Sequence, residues 1–391
     1  MPNASDRVRN LPDYPFAVLS KKIQELISRR IDVIRLDIGN PDLPPPDFVI
    51  DCLAQAAKND NNHGYTGYVG LPAFRNAVAD YYKKRFGVLI DPDNEVLPLI
   101  GSKEGILNLS LAYLDHNDIV LLPNVGYPSY YMGAQLAGAS AWWIELAPED
   151  QYLPNFDAIP SDIAMQAKML WINYPNNPTG AIADLSFYAK AVNFCKQYDI
   201  LLASDNPYVE VTFDGYSAGS LLQVPDAKEH SIEFLSLSKT YNMAGWRLGA
   251  AIGSKEILEN LLKVKSNMDS GHFKPIYEAG AAALEFTSQD WLDSRNMVYR
   301  RRAEKIVEIA PKIGLHAEIP KGSLYVWARV ADGNSQIYTE DALSMANVSI
   351  APGEIYGPGG TGYVRLSLGV PDNRLDEALN RLQMWYSKRS Y

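Results

Sequence analysis

The stretch Ser236-Leu237-Ser238-Lys239-Thr240-Tyr241-Asn242-Met243-Ala244-Gly245-Trp246-Arg247 holds the residues best suited to covalent chemistry. A lysine amine in a protected pocket sheds its proton and can attack a carbonyl to form a Schiff base. Ser236, Ser238 and Arg247 around Lys239 are groups that hold a phosphate. The guest this combination predicts is an aldehyde carrying a phosphate, and pyridoxal 5'-phosphate is such a molecule. Taken alone, the stretch also fits a solvated surface lysine.

Four more features precede it in the chain. Gly101-Ser102-Lys103-Glu104-Gly105 follows an apolar run and precedes a helical pattern. Backbone N–H groups at a helix start, with a serine and a cation, make an anion site. Tyr127, in Asn124-Val125-Gly126-Tyr127-Pro128, offers a ring that can stack on a flat ligand. Asn173-Tyr174-Pro175-Asn176-Asn177-Pro178-Thr179-Gly180 reads as a stiff loop that aims Asn177. Asp205-Asn206-Pro207-Tyr208 places a carboxylate that can pair with a protonated pyridine nitrogen, and a phenol in reach of the ring oxygen. Each piece singly also fits an ordinary turn. Their order along one alternating pattern makes independent turns hard to sustain.

That pattern is α/β. Helical stretches at 47–58, 71–86, 105–114, 129–138 and 185–197 alternate with apolar runs at 96–100, 119–122, 141–144, 169–172, 200–204, 233–236 and 248–252. Such alternation predicts a mostly parallel sheet covered on both faces, with ligands beyond the carboxyl ends of its strands. An amphipathic helix over 18–30 and a short strand over 33–38 come first, then a loop through Pro44-Pro45-Pro46. Continuous helical pattern over 279–309, strands at 323–330 and 363–368 and a helix over 373–387 predict a smaller α+β region. The expected division is an arm and part of a small domain over 1–46, a large cofactor-binding domain over 47–285, and a small α+β domain over 286–391.

Composition narrows the function. The chain has 391 residues and a formal charge of −10, which disfavours nucleic acid as a partner. The five histidines have no helical zinc spacing, and Cys52 and Cys195 form no metal or disulfide framework, so no metal is expected. The first residues lack the apolar core of a signal peptide, and no apolar run is long enough to span a bilayer, so the expected setting is cytoplasmic, away from membranes. No G-x-G-x-x-G follows the first strand, which argues against a nicotinamide dehydrogenase.

With these motifs in order, the chain resembles the fold-type I pyridoxal phosphate-dependent aminotransferases of the class I and II group, over nearly its whole length. Ile100–Gly105, Asn173–Gly180, Ser236–Met243 and Lys265-Ser266-Asn267-Met268-Asp269-Ser270-Gly271 are similar to the LL-diaminopimelate aminotransferase-like subgroup. The resemblance implies an aspartate aminotransferase-like fold and a homodimer with shared active sites. Lys239 would carry the cofactor and move the substrate proton, Asp205 would pair with the pyridine nitrogen, and Asn177 and Tyr208 would hold the ring oxygen. Tyr127 would stack on the ring. Ser102, Lys103, Ser236, Ser238 and Arg247 would surround the phosphate, joined by Tyr65 from the neighbouring subunit. Arg365, in Tyr363-Val364-Arg365-Leu366-Ser367, would clamp the α-carboxylate with the backbone of Gly39.

The implied reaction moves an amino group between an L-amino acid and a 2-oxo acid by a ping-pong mechanism. Two segments depart from the subgroup, His272-Phe273-Lys274-Pro275-Ile276-Tyr277-Glu278 and Gly39-Asn40-Pro41-Asp42. Both are expected near the substrate side chain. The donor stays open among LL-diaminopimelate, aspartate, glutamate, alanine and aromatic amino acids. A C–S β-lyase on the same scaffold is the main alternative, and a non-catalytic ligand sensor a further one.

Overall fold

The structure is a computed structural model that describes residues 2–389. Met1 and residues 390–391, parts of the expected first and last segments, lie outside the described residues. Its centre is a seven-stranded sheet in the order Val96–Leu99, Gly249–Gly253, Ser231–Ser236, Leu201–Asn206, Ala167–Ile172, Ile119–Pro123, Ser140–Ile144. All neighbours pair in parallel except Gly249–Gly253, which is antiparallel to both strands beside it. Val120, Leu122, Met169, Ala203, Ile232 and Phe234 pack with helix residues Ile106, Leu109 and Leu258 in one apolar cluster. Leu121, Leu170, Ile172 and Leu202 pack with Phe187, Ala191 and Cys195 in another. Continuous apolar runs are what a sheet covered on both sides requires. Burial of each large side chain contributes roughly 1.5–3 kcal/mol.

Element boundaries shift in places that bear on function. The helix expected from Gly105 starts at Ser102, because Gly101 takes φ +75° and turns the chain there. The strand expected to end at Ser204 runs through Asn206, so Asp205 lies within it, not after it. The helical pattern over 279–309 is two helices, Lys274–Phe286 and Gln289–Ile309. Thr287 leaves the helix as extended chain, and the Ser288 side chain accepts from Trp291 N at 3.2 Å to cap the next one. The expected strand over 33–38 shortens to Ile34–Arg35, paired in parallel with Val348–Ser349. Two further helices, Lys255–Lys265 and Ser335–Ala346, stand outside the elements expected above.

A four-stranded antiparallel sheet has the order Ala351–Pro352, Tyr363–Ser367, Tyr325–Val330, Leu315–Ala317. Ile34 and Leu36 from the N-terminal region join its apolar cluster with Tyr299, Val326, Leu366 and Leu382. On that packing we propose the division into 1–46, 47–285 and 286–391. Residues 1–46 and 286–391 are clamped together by Arg302, only 3% exposed, on the helix Gln289–Ile309. It donates to Asp42 Oδ1 at 2.7 Å and Oδ2 at 2.9 Å, to Asp372 Oδ1 at 2.7 Å, and to Leu368 O at 2.8 Å. Asp42 lies in the same irregular segment as Gly39, between Ile34–Arg35 and the helix Asp47–Ala57, so this fork holds a segment that lines the site.

Removing one partner of a buried ion pair leaves a charge without compensation. Arg302→Met is expected to cost about 3 kcal/mol, read as a lower denaturant midpoint at unchanged slope. An unchanged midpoint would show that the clamp contributes nothing to stability.

Candidate active site

A cavity of about 350 Å³ has Ser102, Tyr127, Asn177, Asp205 and Lys239 in its wall, residues at or just past the carboxyl ends of the parallel strands. Every site residue expected from the sequence lines it except Tyr65: Gly39, Ser102, Lys103, Tyr127, Asn177, Asp205, Tyr208, Ser236, Ser238, Lys239, Arg247 and Arg365. Tyr65 is 91% exposed and lies outside the cavity. Its neighbour Thr66 donates from Oγ1 to His272 O at 2.9 Å, which packs the loop of Tyr65 against the 266–273 segment.

Lys239 sits in the short helix Leu237–Thr240, after the strand Ser231–Ser236. Ser236 caps that helix by accepting from Ser238 N at 3.3 Å. Burial, then the positive charges of Arg365 and Arg247, push the Lys239 amine down to about 7. Its Nζ donates to Gly39 O. Gly39 cannot be larger, because a Cβ there would lie 1.8 Å from Tyr325 Oη.

Asp205 is 3% exposed, and burial raises its carboxyl to about 7 against the opposing hydrogen bond from Tyr130. Tyr130 Oη donates to Oδ2 at 2.7 Å, while buried Oδ1 has no partner among the described residues. Tyr130 stacks on Trp171 at 4.8 Å and is met edge-on by Tyr127 at 5.8 Å. The asparagine loop braces itself: Asn173 Nδ2 donates to Asp205 O at 2.6 Å, and Asn177 N donates to Asn173 Oδ1 at 2.8 Å. Asn176 Oδ1 accepts from Thr179 N at 3.1 Å and Thr179 Oγ1 at 2.8 Å. The stiffness expected of this segment comes from these side chains.

Asn177 Oδ1 accepts from Arg365 Nη1 at 2.9 Å, and Arg365 Nη2 donates to Asp37 O at 2.6 Å. Arg365 Nε is buried without a partner, and its guanidinium lies 3.8 Å from the centre of the Tyr325 ring. Tyr208 Oη and Tyr325 Oη are 2.9 Å apart. At the other end, Arg247 Nη1 donates to Ser238 Oγ at 3.4 Å, and a Cβ on Gly101 would meet Arg247 Nη2 at 2.2 Å. Lys103 lines the cavity, with its ammonium 3.8 Å from the centre of the Tyr14 ring.

Sequence reasoning missed Tyr14, Phe16, Ser20, Arg35, Ile38, Asn173, Pro207 and Tyr325 in the wall, and Tyr130 beneath Asp205. Asn173 was within reach, as the first residue of a quoted motif. Tyr325 lies beside Arg365 only because strands Tyr325–Val330 and Tyr363–Ser367 pair antiparallel, which no local motif announces. Of the two departing segments, Gly39 is in the cavity wall, whereas His272 makes a hydrogen bond to Arg247 O and is outside the wall.

A half-buried lysine with depressed proton affinity, lining one cavity with an unpartnered carboxylate oxygen and an arginine fork at the carboxyl edge of a parallel sheet, defines a transaminase-like centre. Residues 31–382 match the family described as aminotransferase class I and II, and the chain belongs to that family. It is 48% identical over 378 residues to an LL-diaminopimelate aminotransferase from Moorella thermoacetica, covering 96% of this chain and 97% of that one. It is 45% identical over 380 residues to an LL-diaminopimelate aminotransferase from Aquifex aeolicus, covering 97% and 98%. Apo-BacF from Bacillus subtilis superposes with a TM-score of 0.94 at 35% identity, covering 99% of both chains. A Thermus thermophilus aspartate aminotransferase mutant superposes at 0.90 with 27% identity, covering 98% and 100%. The fold is thus aspartate aminotransferase-like, fold type I, and the chain is an aminotransferase.

The lysine gives a pH signature without any ligand. Its folded-state proton affinity is lowered from the ordinary 10.5 to about 7. The burden on stability is therefore full below pH 7 and fades as pH rises towards 10.5. In cofactor-free protein, Lys239→Met is expected to melt higher than the parent at pH 6, with the gain shrinking steadily by pH 10. A gain that is constant with pH would refute the assigned proton affinity.

Proposed function

We propose that this chain is a cytoplasmic, homodimeric pyridoxal phosphate-dependent aminotransferase that moves the amino group of LL-diaminopimelate to 2-oxoglutarate. The observation that carries the cofactor reading is the pairing of Lys239, its amine pushed down to about 7, with Asp205, whose Oδ1 is buried and unpartnered. A buried carboxylate oxygen without a donor is costly unless a ligand supplies one. The protonated pyridine nitrogen of the cofactor would be such a donor. Support for the phosphate end is the cluster of Ser102, Ser236, Ser238 and Arg247 beside Gly101, where any side chain would displace the Arg247 guanidinium. The substrate name rests on the relatives called LL-diaminopimelate aminotransferase. These relatives and the family favour amino-group transfer over C–S bond cleavage or ligand sensing.

In this reading Asp205, Asn177, Tyr208 and Tyr127 hold the cofactor ring, and Tyr65 reaches the phosphate of the neighbouring protomer. When bound, the cofactor supplies an aldehyde carbon for an amine and a ring that accepts electrons. The chain's own part is positional and acid–base. Arg365, oriented by its hydrogen bonds to Asn177 Oδ1 and Asp37 O, receives the α-carboxylate on its idle Nε. Lys239 Nζ, unprotonated for a good fraction of time near neutral pH, takes the α-proton and returns it. Tyr325, under Arg365 and bonded to Tyr208, ties the carboxylate clamp to the ring-oxygen donors. Donor and acceptor use the one Arg365 in turn, hence ping-pong kinetics.

Borohydride reduction of the holoprotein followed by peptide mapping is expected to leave the reduced cofactor on Lys239, and Lys239→Ala to abolish transamination. An adduct at another lysine would overturn the assignment. In a panel of amino donors with 2-oxoglutarate, LL-diaminopimelate is expected to give the highest kcat/KM; a higher value for aspartate or alanine would overturn the substrate. Arg365→Ala is expected to raise KM for α-amino acids about 10-fold or more, the worth of a charge-assisted hydrogen bond. An unchanged KM would remove Arg365 from the substrate site.

A further inference from the structure

The roles assigned so far leave one part of the cavity wall without a task. It comes from the start of the helix Pro15–Ser28 and from the chain just before Gly39: Tyr14, Phe16, Ser20, Arg35 and Ile38. Arg35 is the one charged residue of this group. It donates from Nε to Asp37 Oδ1 at 2.8 Å and from Nη2 to Asp37 Oδ2 at 2.5 Å. Its Nη1 makes no hydrogen bond among the described residues, and its side chain keeps 23% exposure while that of Asp37 keeps none.

Residue 37 therefore anchors two guanidinium groups. Its carboxylate holds Arg35, and its carbonyl oxygen accepts from Arg365 Nη2 at 2.6 Å. The Asp37 charge cancels that of Arg35, so Arg35 adds little long-range attraction. What remains is a planar donor fixed in orientation, with one edge spent on Asp37 and Nη1 idle in the wall of the cavity. Such a group suits recognition of a carboxylate by direction rather than by bulk charge. Phe16 shares this wall, and its ring centre lies 5.6 Å from the Arg365 guanidinium.

We propose that Arg35 is a specificity-determining residue that receives the second, distal carboxylate of a dicarboxylic substrate whose α-carboxylate is on Arg365. The proposal rests on the transaminase reading and deepens it. It assigns discrimination between dicarboxylic and monocarboxylic substrates to a residue of the same protomer.

The test is binding, not turnover. Calorimetry on the holoenzyme compares glutarate, which has two carboxylates, with butyrate, which has one. The unaltered enzyme is expected to bind glutarate more tightly. Arg35→Met is expected to weaken glutarate about 10- to 100-fold, the range of a charge-assisted hydrogen bond, and butyrate less than about 3-fold. Arg35→Lys keeps a charge opposite Asp37 but loses the planar fork. It is expected to weaken glutarate selectively and to a smaller extent, and it carries the test if Arg35→Met does not fold. Equal weakening of both ligands would make Arg35 a mere support for Asp37 and overturn the proposal. So would equal affinity for the two ligands in the unaltered enzyme, or variants that bind both as before. Absence of transamination in the unaltered enzyme would instead count against the functional reading, and the glutarate-to-butyrate ratio would still be readable.

Discussion

Desolvation of the Lys239 amine is the constraint around which the site is arranged. A half-buried lysine beside Arg365 and Arg247 is disfavoured as a cation, and its proton affinity falls to about 7. The chain meets that cost with structure built elsewhere. The strand Ser231–Ser236 is wholly buried, and Arg295 donates to the carbonyls of Lys239 and Thr240 from the helix Gln289–Ile309. The destabilised amine is thus held in place by backbone contacts that do not depend on its charge. Stability given up at a reactive group and recovered in the surrounding packing is the usual trade at functional sites.

The cavity also separates its charges by geometry. The whole chain carries −10, yet Arg35, Lys103, Lys239, Arg247 and Arg365 line one cavity with Asp205 as its acid. The cations are held in different ways: the Asp37 carboxylate holds Arg35, the Tyr14 ring Lys103, Gly39 O Lys239, Ser238 Arg247, and Asn177 with the Asp37 carbonyl oxygen Arg365. Because most of these partners are neutral, the cations keep donor capacity for anionic ligands. Asp205 is the exception in sign, and its idle Oδ1 faces the opposite need, a donor.

Two regions far apart in sequence are forced to meet for this to work. Gly39 and Asp37 come from the N-terminal loop, and Arg365 and Tyr325 from the C-terminal sheet. Parallel pairing of Ile34–Arg35 with Val348–Ser349 and the Arg302 fork on Asp42 bring the two together. Tolerance is narrow there, since Gly39 touches Tyr325 so closely that even a methyl group would collide.

Local motifs determined a large share of this by themselves. Alternating apolar runs specified a mostly parallel sheet, because such runs are stable only when helices cover both faces. Glycine, serine and proline signals placed Ser102, Asn177, Asp205 and Lys239 near strand ends, because ends are where chain reversals must occur. Tertiary structure alone decided the rest. Helix starts depended on one positive φ at Gly101, and the break at Thr287–Ser288 on a cap that periodicity does not register. Tyr130 under Asp205, Tyr325 under Arg365 and Arg35 in the wall owe their places to pairings across tens or hundreds of residues. Proton affinities of Lys239 and Asp205 belong to the same class, because water exclusion is a property of the assembled cavity and not of any stretch of chain.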